Sequence, residues 1–330
     1  MSSRKNLKGL YKVDTDNSKK KLIVLTGPTA VGKTDLSIRL AKKVGGEIIS
    51  ADSMQVYRRM NIGTAKIRPE EMDGVRHHLI DILEPEESFN AFLFKEYAKK
   101  AADEIWERNN IPIIVGGTGF YIQTLLYDIE FAQNDENDGI RDELNRLYEE
   151  KGAGYMHELL REIDPDYAAE VHENNVKKVI RAIEFYRQTG CRMSEHNAVQ
   201  RERISPYNFA YFVLSDDRKL LYDRIDRRID KMLEEGLVDE VKALLAEGLK
   251  RDSVSMQGLG YKEIAAYLSG EISLDEAVYI LKRDTRHFAK RQLTWFRREK
   301  EVEFVELDKL KSRDAAYEYM LDILRKKNII

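Results

Sequence analysis

Gly27-Pro28-Thr29-Ala30-Val31-Gly32-Lys33-Thr34 fits the pattern G-x-x-x-x-G-K-[ST] at every specified position. In such a loop the glycines let successive backbone N–H groups converge on one point. Lys33 adds a full positive charge there, and the Thr34 hydroxyl is suited to Mg2+. From average residue usage the pattern arises by chance in about one chain in a hundred of this length. The segment therefore predicts binding of a polyphosphate or pyrophosphate group. It leaves the reaction open, because kinases, NTPases and other pyrophosphate users share the loop.

Neighbouring residues must supply the rest. Asp52, in Ser50-Ala51-Asp52-Ser53-Met54-Gln55, follows a short apolar run and could hold Mg2+ or accept a proton from an attacking nucleophile; the plainer alternative is a turn or helix-capping aspartate. The amide of Gln55 could read an adenine edge. Gly116-Gly117-Thr118-Gly119 is a second glycine loop, with Thr118 offering a hydroxyl where the backbone allows close approach; a tight strand-to-helix turn explains it as well. Arg224 and Arg228 stand four apart and share a helix face, so their forks could clamp an anionic leaving group, although Asp223, Asp226 and Asp230 make surface ion pairs the plainer account. The six histidines form no metal-binding pattern, and Cys191, the single cysteine, excludes a disulfide framework and a cysteine-rich zinc finger.

Net charge is −3, from 55 basic and 58 acidic residues, so any nucleic-acid contact must come from local patches. Two such patches exist. Residues 177–203 hold seven basic and three acidic side chains, including Lys177, Lys178 and Arg181, and residues 281–300 hold eight and two. In the second, Phe288 and Trp295 interleave with Lys290, Arg291 and Arg297, a composition suited to stacking bases and neutralising phosphates; a solvated basic face over buried Phe288, Leu293 and Trp295 is the alternative. Residues 130–150 carry eight acidic against two basic side chains, so charge is segregated along the chain.

The elements that must position these groups read as α/β. Apolar β-rich runs at 22–25, 47–50, 111–115 and 209–214, with a shorter one at 302–305, alternate with helical patterns at 33–44, 89–109, 218–234, 236–247, 260–269, 273–298 and 313–326. Strand, helix, strand within about 30 residues predicts parallel pairing with helices on the faces. The stretch 128–204 shows helical spacing and no convincing strand, with Thr189-Gly190 as a helix stop. The expected division is a flexible tail at 1–20, a core in two parts at 21–127 and 205–330, and a helical insertion domain at 128–204. A hydrophobic fraction of 42% suffices for a sizeable core, and no apolar run reaches the length of a membrane span. A soluble, cytoplasmic monomer is expected.

Taken together, GPTAVGKT (27–34), DSMQVY (52–57), NIGTAK (61–66), HHLIDILEP (77–85), GGTGFY (116–121), VIRAIE (179–184), QGLGYKE (257–263) and TRHFAKRQLTWFR (285–297) resemble the bacterial tRNA dimethylallyltransferases, across residues 21–298. The resemblance implies a P-loop NTPase-like parallel sheet with an all-helical insertion. It also implies transfer of a dimethylallyl group from dimethylallyl diphosphate to the exocyclic amine of the adenosine immediately 3′ of the anticodon. On that basis the loop Gly27, Pro28, Thr29, Ala30, Val31, Gly32, Lys33, Thr34 holds the diphosphate, with Mg2+ at Thr34 and Arg224 or Arg228 neutralising charge. Asp52 is then the general base. Ser53, Met54, Gln55 and Thr118 line the site of the flipped base, and Lys177, Lys178, Val179, Ile180, Arg181, Gln257, Gly260, Lys262, Lys290, Arg291, Trp295 and Arg297 contact tRNA. Asn175 and Lys178 depart from the family's frequent Asp and Arg, which alters one RNA contact. A small-metabolite kinase, an isopentenyltransferase acting on free adenine nucleotide and an NTP-dependent RNA-binding protein are the competing readings. The basic aromatic segment 285–298 serves neither of the first two.

Overall fold

The computed structural model describes residues 19–131, 139–202, 204–310 and 312–330. The expected tail, as far as residue 18, and residues 132–138 of the acidic stretch lie outside them. By contacts the chain divides into two compact units, Met1–Ile122 with Pro206–Ile330, and Gln123–Ser205.

The first unit is built on one parallel sheet. Its strands are β1 (Lys21–Thr26), β2 (Gly46–Ala51), β3 (His77–His78), β4 (Ile111–Gly116), β5 (Asn208–Ser215) and β6 (Val302–Glu306), in the order β3-β2-β4-β1-β5-β6. β1 lies at the centre, with Leu25 level with Val115 of β4 on one side and Phe212 of β5 on the other. Every residue of β1 after Lys21 is buried, which is why it reads as an unbroken apolar run rather than an alternation. The helices of this unit are α1 (Lys33–Val44), α2 (Ala91–Glu107) and α3 (Gly119–Leu126, whose last turn crosses into the second unit); those of the second unit follow, as α4 (Ile140–Ile163), α5 (Pro165–Glu170), α6 (Val176–Thr189) and α7 (Met193–Arg201). The chain then returns with α8 (Arg218–Glu234), α9 (Leu237–Ala246), α10 (Tyr261–Leu268), α11 (Leu274–Phe296) and α12 (Arg313–Lys326). Their starts carry chemical markers. Asn90 accepts from Leu93 N–H at α2, Asp217 from Lys219 and Leu220 N–H at α8, and Ser273 from Glu276 N–H at α11.

In the second unit, Leu144, Met156, Leu160, Val179 and Ile183 form an apolar core. The helical spacing from residue 140 is interrupted at Gly152, where φ 81° and ψ 177° break α4. Asp164 then separates α4 from α5: its Oδ1 accepts from Tyr167 N–H at 3.1 Å and its Oδ2 from Ser194 N–H at 2.8 Å.

At the amino end of β2 the buried Glu47 carboxylate takes two parallel hydrogen bonds from Arg108, both 2.8 Å, one from Asn110 Nδ2 at 2.9 Å, and lies 2.7 Å from His78 Nε2. The paired His77-His78 thus form a two-residue edge strand whose second ring completes this cluster. Arg108, helped by His78 and Asn110, outweighs burial and holds the Glu47 pKa down to about 2. A depressed carboxylate pKa stabilises the fold fully above the unfolded value near 4.5, and this contribution fades as pH falls from there towards 2. Glu47→Gln is expected to lower stability by about 2 kcal/mol at pH 7, discounted for the partial exposure of Arg108, and the gap between the two proteins should narrow below pH 4.5 and close near pH 2 in denaturation curves.

Candidate active site

The loops that carry Lys33, Asp52 and Thr118 follow β1, β2 and β4 and leave the carboxyl edge of the sheet, where open α/β sheets bind ligands. After β1, the chain turns sharply at Gly27, where a Cβ would lie 2.5 Å from Leu214 O, and winds through Ala30 (φ 62°) and Gly32 (φ 98°) into α1. Among the described residues no side chain caps α1 at Gly32, which leaves its first N–H groups available to a ligand. Lys33 Nζ donates to the carbonyls of Gly27 at 2.9 Å and Pro28 at 2.8 Å, and makes no ion pair among the described residues. Burial, seconded by the positive charge of Arg228 and opposed by the negative charge of Asp52, lowers its pKa to about 8. Arg228, on α8, likewise has no carboxylate partner among the described residues, and desolvation by the surrounding walls lowers its pKa. Two cations thus meet with only Asp52 nearby and no ion pair among the described residues, an arrangement suited to a bound polyanion.

Asp52 follows β2. Its Oδ1 accepts from Met54 N–H at 2.8 Å and Gln55 N–H at 3.3 Å, so it is a turn aspartate and a cavity group at once. The Gln55 amide donates to the carbonyls of Thr64 (3.3 Å) and Ala65 (3.4 Å), while its oxygen accepts from Ser50 Oγ at 3.3 Å. The segment 61–63 beside it is held by Glu240 of α9, whose carboxylate accepts three backbone N–H groups and the Tyr261 hydroxyl.

After β4, the second glycine loop meets α11 at very short range. A Cβ on Gly117 would lie 2.2 Å from Gln292 Nε2, and one on Gly119 would lie 2.3 Å from Trp295 Cδ1. The buried Gln292 amide donates from Nε2 to Gly117 O at 2.9 Å and accepts at Oε1 from Thr29 N–H at 3.0 Å, joining both glycine loops to one helix. Together these elements enclose a cavity of about 640 Å3 lined by Lys33, Thr34, Asp52, Thr118 and Arg228, with an apolar wall that includes Ile225, Ile229, Leu281 and Phe288.

The profile of a family described as IPP transferase matches residues 55–299. The tRNA dimethylallyltransferase of Lachnoclostridium phytofermentans is 57% identical over 309 residues, covering 94% of this chain and 99% of that one. This chain belongs to the IPP transferase family. Two solved structures agree. A tRNA isopentenylpyrophosphate transferase from Bacillus halodurans superposes with a TM-score of 0.70 at 44% identity, covering 94% of this chain and 98% of that one. A eukaryotic dimethylallyltransferase acting on tRNA gives a TM-score of 0.79 at 29% identity, covering 94% and 79%.

Not every residue named from the sequence reaches this IPP transferase cavity. Arg224 is withdrawn into an ion pair with the buried Asp216 and does not line it, so of the two arginines only Arg228 faces the ligand space. Met54 and Ser53 line the cavity with Gln55, and a Cβ on Gly258 would lie 2.5 Å from Met54 Cε. Gln257, Gly260 and Lys262 line it as well, Gly260 as buried backbone. On α11, Arg291 lines it while Lys290, Trp295 and, at the C-cap, Arg297 are exposed; Trp295 packs edge-on against Phe120 rather than in the core, where Ala289, Gln292 and Phe296 lie instead. In the second unit Lys177, Lys178 and Arg181 are exposed. The side chains of Val179 and Ile180 are buried in that unit's core, beneath these exposed neighbours. Gln292 and Glu240 were not singled out from the sequence. Their one signal there, polar residues on the apolar stripe of an amphipathic helix, is shared by many surface positions.

Two outcomes follow from this geometry. Gln292→Leu leaves Thr29 N–H and Gly117 O without partners, and should lower stability by about 2–3 kcal/mol while weakening polyphosphate binding, measured by thermal denaturation and titration calorimetry. Because unliganded Lys33 loses its proton near pH 8, affinity for inorganic diphosphate should fall about tenfold between pH 7 and pH 9, and Lys33→Arg should flatten that fall.

Proposed function

We propose that this chain transfers the dimethylallyl group of dimethylallyl diphosphate to N6 of the adenosine immediately 3′ of the anticodon in tRNA, releasing diphosphate. The observation that carries the reading is the meeting, in one cavity, of an unneutralised Lys33–Arg228 pair, the Asp52 carboxylate and an apolar wall. The names and coverage of the relatives support it.

In this reading the loop from Gly27 to Thr34 holds the diphosphate through backbone N–H groups, Thr29 and Lys33, and Arg228 balances charge as it leaves. The hydrocarbon lies against Ile225, Ile229 and Phe288. The amine of adenine is a weak nucleophile; N6 attacks C1 of the dimethylallyl group, the bond from C1 to the diphosphate oxygen breaks, and the N6 proton passes to Asp52. Thr118 and Gln55 flank the base, which leaves its stack at low cost because the anticodon loop is unpaired. Thr34 lines the cavity, and its hydroxyl would hold Mg2+ together with diphosphate oxygens and water. When bound there, Mg2+ neutralises leaving-group charge. Lys290, Arg291, Trp295 and Arg297, with Gln257 and Lys262, serve the RNA strand, as do Lys177, Lys178 and Arg181 of the helical unit. One chain carries every group the reaction uses, so a monomer suffices, and the cytoplasm, where tRNA resides, is its compartment.

Purified protein incubated with Mg2+, dimethylallyl diphosphate and unmodified tRNA should yield prenylated adenosine on nucleoside mass spectrometry, with none formed from AMP in a parallel tube. Product from AMP would move the acceptor to free nucleotides, and ATP consumption alone would point to a kinase. Asp52→Asn should cut transfer by about 10^2 to 10^4-fold while tRNA affinity stays within about twofold.

A further inference from the structure

We propose that Arg313, in the first turn of α12, is a third cation of the diphosphate site; this rests on the reading of the phosphate loop given above. Residue 313 lies outside the 55–299 segment that the family profile matches, as the phosphate loop itself does. Its guanidinium nonetheless stands over the loop. A Cβ on Gly32 would lie 2.9 Å from Arg313 Nη2, and Arg313 Nη1 donates to Asp35 Oδ2 at 2.8 Å. Gly32 and Asp35 both line the cavity; Arg313 is not itself a lining residue but reaches both, one arm anchored on Asp35 and the other over the Gly32 backbone.

The seating of α12 does not depend on this side chain. Asp314 pairs with Arg39 of α1 at 2.8 Å, the Arg39 guanidinium lies 4.5 Å from the Tyr317 ring centroid, Ser312 caps the helix by accepting from Ala315 N–H, and Ala316, Met320, Leu321 and Leu324 are buried. Arg313 itself is 51% exposed. An arginine that is not needed for packing, held by an acidic residue against an anion loop, has the geometry of a ligand group. Diphosphate carries several negative charges, and Lys33 with Arg228 supplies only two positive ones. The Asp35 carboxylate at the rim would by itself repel the ligand, so a cation fixed beside it is doubly useful.

The test is calorimetric titration of the full chain with inorganic diphosphate and Mg2+, alongside steady-state kinetics. Arg313→Ala should weaken diphosphate binding about five- to twentyfold and raise KM for dimethylallyl diphosphate in parallel, with kcat and melting temperature unchanged. Arg313→Lys should recover part of the loss. Asp314→Ala, which removes the other ion pair between α12 and α1, should bind like the wild type. Binding by Arg313→Ala within twofold of wild type overturns the inference, as does an equal loss in Asp314→Ala, which would mean that helix docking alone is at stake. If the wild type binds no diphosphate, or Lys33→Ala binds it undiminished, it is the phosphate-loop reading that fails.

Discussion

The buried amide of Gln292 sets the spacing on which the cavity depends. It is short enough to bridge Thr29 and Gly117 only because both loops come within one side chain's reach of α11, and they do so because Gly117 and Gly119 present no Cβ. A methyl group at either position would force Gln292 or Trp295 to move. The same economy of volume operates between strands, where a Cβ on Gly116 would lie 2.2 Å from Ala51 O. Once the glycines fix these approaches, Phe288 and Arg291 on the same helix fall on the cavity wall without further device.

Burial of charge has opposite outcomes just inside one end and just beyond the other end of β2. Glu47 near the amino end is surrounded by Arg108, Asn110 and His78, and its low pKa expresses net stabilisation. Beyond the carboxyl end, Lys33 and Arg228 are desolvated beside each other with only Asp52 offering relief, and the pKa of Lys33 is lowered. The first arrangement is neutral within itself. The second is satisfied only by an anion from outside, so the folded protein carries an electrostatic cost that ligand removes.

Most of the core was legible in the sequence because its signals are local. The helices at 33–44, 218–234 and 313–326 begin and end where periodicity and caps place them, and the central strands are unbroken apolar runs. The phosphate loop is legible for the same reason: its backbone path is encoded by adjacent residues. What escaped depends on partners distant in the chain. The edge strand His77–His78 is too short for any periodicity and exists through pairing with Ile48 and Ile49. Gln292 meets Thr29 across 263 residues. Val179 and Ile180 share a motif with exposed Lys178 and Arg181, and only packing in the second unit separates the residues that support from those that face solvent.

Arg224 and Arg228 make the limit of such local reasoning concrete. Spacing of four puts both guanidinium groups on one face of α8, one turn apart, and chemistry alone treats them alike. The difference is Asp216, just after β5, whose largely buried carboxylate binds Arg224. That pair neutralises the arginine nearer the helix start and ties the first turns of α8 to the carboxyl end of the strand. With α8 held there, the next turn carries Arg228 into the cavity, with no ion pair to a carboxylate among the described residues. An ion pair that looks like the dull alternative to a ligand clamp is thus the device that leaves one arginine available to serve as one.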